Sequence, residues 1–127
     1  MSMDMKDMAA TLAALDEGAR RTMLTSRLEA FAAMGDEERK QGMSQMLQAI
    51  HTLPDEDYRN LVASRTWALS QLPNETRVTL IRTQLSVLAE LLEETRQREM
   101  GAMQASLAEL PEDARQGVAA SMQTAQA

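Results

Sequence analysis

A chain of 127 residues with a formal charge of −6 and no cysteine is sized for one domain, and it closes off several classes of function. A net negative surface argues against nucleic acid and against an anionic membrane face, both of which need clustered Lys and Arg. Without cysteine there are no disulfides or thiolate metal sites, and no apolar run approaches the roughly 20 residues of a membrane span.

Only Phe31, Tyr58 and Trp67 are aromatic, and the apolar content comes from Leu, Ala and 11 Met. This is a helix-forming set with few strand formers, so an all-α fold is expected. The start Met1-Ser2-Met3-Asp4-Met5-Lys6-Asp7 lacks the basic stretch and apolar core of a secretion signal, which makes the cytoplasm the expected location.

In chain order, residues 3–14 read as a partial helix, because Met5, Met8 and Leu12 share the apolar spacing of the units downstream. Met1, Met3, Met5 and Met8 also offer thioethers to a soft ion such as Cu(I). Core roles for Met5 and Met8, with no His or Cys nearby, favour packing, and no metal is assigned.

From residue 15 the chain repeats every 19 residues, with units opening at Leu15, Met34, Leu53, Leu72, Leu91 and Leu110. Each unit reads as one helix of about 15 residues, or roughly 22 Å. Pro54, Pro73 and Pro111 lack a backbone donor and suit the first turn. Acids such as Asp36, Glu37, Asp55, Glu56, Glu93 and Glu112 crowd that turn, where the helix dipole favours them. Ion pairs one turn apart are expected for Asp36 with Lys40, Asp55 with Arg59 and Glu94 with Arg98.

Counting each opening Leu or Met as position one, position ten holds Leu24, Met43, Val62, Ile81, Met100 and Ala119. Positions fourteen and seventeen add residues such as Leu28, Leu47, Phe31, Ile50 and Leu88, which completes one apolar stripe. Met43, Met46, Met100, Met103 and Met122 lie mainly on that stripe and read as core filling. Gln123 and Gln126 stand where the last unit should be apolar, so a polar, fraying terminal helix is expected. The prediction is one domain over 1–127: about seven short antiparallel helices forming an α-solenoid or a compact array of helical hairpins.

Position six carries Arg20, Arg39, Arg77, Arg96 and Arg115, with Tyr58 followed by Arg59 in the third unit. These arginines read better as structural groups than as a ladder for acidic ligands. In that role each closes the first turn against an acid three residues earlier and packs its stem on the adjacent unit. Trp67, at position fifteen, breaks the pattern, since other units place Glu29, Gln48, Ser86, Ala105 and Thr124 there. A Trp on the polar side of a helix suggests an interaction surface, and Trp67 with Arg59 and Arg65 as polar neighbours is the candidate site. Filling of an inter-helix gap is the competing account of Trp67.

The tandem openings, best seen in Leu72-Pro73-Asn74-Glu75-Thr76-Arg77, resemble the short helical repeats in the cytoplasmic N-terminal domain of MgtE-type magnesium transporters. That resemblance implies regulatory Mg²⁺ binding by acidic residues, and it carries over no site residue.

Catalysis finds little support. His51 is the single histidine and has no Ser or Cys partner in the pattern, and no glycine loop could cradle a phosphate. The expected function is therefore a non-catalytic helical-repeat protein, without cofactor, that binds another protein as adaptor or accessory subunit. Alternatives are a ligand- or metal-binding regulator using the acidic helix starts or the Met cluster, and an accessory subunit of an enzyme. An array with exposed end helices can also pair with a copy of itself.

Overall fold

Seven helices fill the described residues 4–127 of the computed structural model: α1 Met5–Ala14, α2 Glu17–Ala32, α3 Asp36–Ile50, α4 Asp55–Ser70, α5 Asn74–Leu88, α6 Glu93–Ala108 and α7 Glu112–Gln126. Met1 and Met3 of the methionine cluster lie outside the described residues. Met5 and Met8 pack half-buried against the core, and the Met8 sulfur faces the Arg27 guanidinium. No helix among the described residues is long and apolar enough to cross a membrane.

The helix starts follow local chemistry. Asp4 and Asp16 cap α1 and α2, each accepting an amide from three residues on at 2.8 Å. Pro54, Pro73 and Pro111 stand one residue earlier than the first-turn position expected for them, at the cap itself, with φ of −57°, −59° and −54°. A ring locked at that angle needs no amide partner, while its carbonyl accepts the first helical bond, from Tyr58, Arg77 or Arg115 at 2.8–2.9 Å. The helix ends are equally regular. The amides of Met34, Leu53, Leu72, Leu91 and Leu110 each return to the carbonyl three residues earlier at 3.1 Å.

Such short turns carry the chain back and forth between two layers. Helices two apart in sequence pack most closely (α1 on α3, α3 on α5, α5 on α7, α2 on α4 and α4 on α6), whereas consecutive helices touch only lightly. The expected pairing of neighbours into hairpins is therefore not the main contact. Each helix finds its close partner one helix further along.

The apolar stripe fills the space between the layers, with Leu24, Val62, Leu47 and Ile50 at 2% exposure or less. Met43 is buried, and Met46, Met103 and Met122 are half-buried against the core. Met100 departs from its expected core role, being 48% exposed on a helix whose one close partner among the described residues is α4. At the far end α7 carries Gln123 and Gln126 exposed, as a polar terminal helix places them. It stays helical to Gln126 by packing on α5, with Val118, Ser121 and Ala125 buried.

The predicted pairs one turn apart give way to pairs between helices. Lys40 reaches Glu90 at 3.1 Å, and Arg98 reaches Asp55 at 2.9 Å. Arg59 has no ion pair among the described residues.

The open side of α6 has a testable consequence. Nothing lies within 4 Å of where a Cβ would sit on Gly101, in the middle of this helix. Gly101→Ala should therefore raise stability by about 0.5–1 kcal/mol through backbone entropy alone. A urea midpoint that fell, measured in dilute protein, would mean that this face is covered.

Candidate functional site

The arginines at position six show what the repeat pattern is for. Arg20 donates through Nε to Ser64 Oγ at 2.8 Å, Arg39 to Thr83 Oγ1 at 3.0 Å and Arg77 to Ser121 Oγ at 2.9 Å. In all three the acceptor lies 44 residues ahead, at position twelve of the unit two further on. Another guanidinium nitrogen closes the turn behind, donating to the carbonyl of Leu15, Met34 or Leu72. The structural role expected for these arginines holds, but the partner differs. Only Arg39 pairs with an acid three residues earlier, Asp36. A carboxylate on an exposed first turn is well solvated, whereas turn carbonyls and hydroxyls at a helix contact have no water to turn to.

The third unit breaks this pattern on both sides at once. Tyr58 replaces the arginine, and Ala102 replaces the hydroxyl 44 residues ahead. The Tyr58 hydroxyl donates instead to Glu99 Oε1 at 2.7 Å, on the neighbouring α6. Glu99 is fully buried. Its Oε1 also receives His51 Nε2 at 3.2 Å, and its Oε2 receives Arg65 and, at 3.2 Å, Gln84 Nε2. Arg98 stacks 4.0 Å over the Tyr58 ring and approaches His51 Nδ1 at 3.3 Å. Because arginine can only donate, Nδ1 is the acceptor and the imidazole proton sits on Nε2, facing Glu99.

Electrostatics make this hub a tie between helices. Burial opposes a charged Glu99, but the Arg65 charge and the hydrogen bonds from His51, Tyr58 and Arg65 outweigh it and bring the pKa down to about 2. Burial, then the charge and hydrogen bond of Glu99, push the Tyr58 phenol well above its ordinary value and keep it a donor. Both carboxylate oxygens already accept two bonds, so none remains for a substrate or ion. The cluster joins α4, α5 and α6 with the end of α3.

Among the residues expected to form an interaction surface, Trp67 and Arg65 part company. Two residues apart on α4, they point to opposite sides, and Arg65 turns inward to Glu99. Arg59 is exposed and Trp67 is half-buried, with its ring packed against the core edge. Arg21 on α2 lies 4.5 Å over that ring and pairs with Glu17 at 2.6 Å, while its Nε is buried with no acceptor. Around them a cleft of about 440 Å³ runs between α2, α4 and the α6–α7 turn, walled by Glu17, Arg21, Ala63, Trp67, Glu109 and Pro111.

The interior offers less room. An apolar cavity beside Arg65 and Gln84, lined by Leu28, Met43, Ile81 and Met103, holds about 50 Å³. That is well below the roughly 150 Å³ that admits benzene. No three His, Asp or Glu side chains gather as a metal site among the described residues.

Glu99, Gln84 and the hydroxyls at position twelve were not picked out from sequence. One signal was present: Tyr58 and Ala102 are exceptions at two positions that pair elsewhere, and paired exceptions mark a contact. Set against known proteins, the chain matches no family model, no curated protein and no solved structure.

Proposed function

We propose that this chain is a non-catalytic helical-repeat protein, an open solenoid of one-helix units, that binds a protein partner at the cleft over Trp67. The observation that carries this reading is the pairing of a half-buried aromatic ring with an arginine whose Nε finds no acceptor among the described residues. Trp67 and Arg21 form one wall of a cleft open to solvent, and Arg21 Nε is a buried donor without an acceptor. A buried orphan donor costs about 1–3 kcal/mol. A partner that brings a carboxylate or backbone carbonyl lets the guanidinium turn outward and recover it. Trp and Arg are also the side chains that most often dominate binding energy. Arg59, exposed and without an ion pair among the described residues, supplies the polar rim. Arg65 is a support beneath the surface and contributes no contact of its own.

The test is capture from the native host by wild-type protein and by Trp67→Ala, followed by titration of the purified partner. Half-burial of Trp67 predicts a stability loss of about 1–2 kcal/mol for the variant, small enough to leave it folded. Partner affinity should fall by about 30-fold or more, as for an aromatic hot spot. Trp67 is the single tryptophan, so its emission should also shift on binding. Undiminished affinity of Trp67→Ala for the partner would remove the cleft as the site.

A further inference from the structure

The two ends of the array expose side chains whose counterparts in the middle are sealed. Position nine holds Leu61, Leu80, Glu99 and Val118, all at 2% exposure or less, each on a helix packed against the helix two before it. In the first full unit that position is Met23, 53% exposed, because α2 has no such neighbour. Position ten shows the reverse. Leu24, Met43, Val62 and Ile81 are buried, each on a helix packed against the helix two after it, whereas Met100 on α6 and Ala119 on α7 are exposed.

The polar rungs run in the same sense, from the arginine of one unit to position twelve two units ahead. The guanidinium groups of Arg96 and Arg115, in units five and six, make no hydrogen bond or ion pair among the described residues. At the other end, the side chains of Asp7 on α1 and Ser26 on α2 occupy position twelve, are exposed and receive no donor among the described residues. One end thus carries free donors beside an exposed Met, and the other carries free acceptors beside an exposed Met.

We infer that a second copy of this chain docks head to tail on α6 and α7, with its α1 against α6 and its α2 against α7. The contact repeats the packing of helices two apart that builds the molecule. Arg96 meets the second copy's Asp7 as an ion pair, and Arg115 meets the second copy's Ser26 as another rung. Met23 of the second copy covers Ala119, and Met100 lies beside the first turn of the second copy's α1, where the cap residue Asp4 holds position nine. Complementary charge and matching register choose a copy over an unrelated partner, since both halves of the interface are already written into one chain. Such a contact joins unlike surfaces, so it builds open strings or rings. This inference goes beyond the Trp67 reading and stands without it.

Analytical ultracentrifugation of the full chain through the millimolar range tests it. Wild-type protein should grow past dimer with concentration. Met23→Glu spoils only the head and Met100→Glu only the tail, and both sites are exposed, so the fold is kept. Each variant alone should associate at least about 30-fold more weakly, the size of a hot-spot loss. A 1:1 mixture of the two should form a heterodimer and nothing larger, because one good tail meets one good head. A wild-type chain that stays monomeric throughout overturns the inference. So does growth of either variant on its own, or a mixture that remains monomeric.

Discussion

Glu99→Gln should destabilise the protein by about 3–5 kcal/mol, the loss typical of a buried ion pair stripped of one partner. The substitution keeps the shape of the side chain but leaves the half-buried Arg65 without its counter-charge. It also turns an amide –NH₂ toward donors, because Tyr58, His51, Arg65 and Gln84 all presently give hydrogen bonds to this one carboxylate. Against a total of about 5–15 kcal/mol for a domain of this kind, such a loss unfolds a measurable fraction of the chains. Urea denaturation reads it as a lower midpoint at unchanged slope.

The same carboxylate predicts a dependence on pH with a definite sign. Its pKa lies at about 2 in the folded protein against an ordinary 4.5, so the unfolded chain binds the proton more readily. The associated stability is fully present above about pH 4.5 and is lost as pH falls toward 2, amounting to about 3 kcal/mol. The difference between wild type and Glu99→Gln isolates this carboxylate from the other acids of the chain. If the two proteins lose stability in parallel on acidification, Glu99 is not the buried charge described here.

The second large effect separates arginines that look alike in sequence. Arg20→Ala should cost about 2–4 kcal/mol, or about 10 °C in melting temperature, whereas Arg115→Ala should stay within about 0.5 kcal/mol of wild type. Arg20 is buried and bonded to Ser64 Oγ and Leu15 O, both at 2.8 Å. Arg115 occupies the same position of its unit, yet its guanidinium is exposed and unbonded among the described residues. Thermal melts in dilute protein keep the comparison to single molecules. Equal losses for the two would mean that the rung to position twelve contributes nothing and that position six acts only within its own helix.

What could be read directly from the chain is the local part of its physics. Helix starts are legible at Asp4, Asp16, Pro54, Pro73 and Pro111, because a capping carboxylate or a locked φ acts within four residues of itself. The apolar stripe at Leu24, Leu47 and Val62 is legible for the same reason, since helical periodicity is a property of one segment. All-helical character follows from these together. The candidate surface was legible only in part. Trp67 stands out as an exception to the pattern, while nothing local to Arg65, two residues before it, shows that it meets Glu99.

The partner of each helix was not legible. Short turns between helices suggested hairpins, but which helix lies beside which depends on how the two layers close, and the close contacts fell between helices two apart. That one fact gives Arg20, Arg39 and Arg77 hydroxyl partners 44 residues away, with Arg39 alone also keeping an acid three residues before it. It also makes Glu99, which reads as one more charge on a helix, the fully buried centre of the Tyr58 exception, because burial of a charge is set by neighbours distant in the chain. The repeat thus carried its own helices in its local chemistry, while their assembly, and with it the meaning of every arginine, came from packing between segments that periodicity alone does not rank.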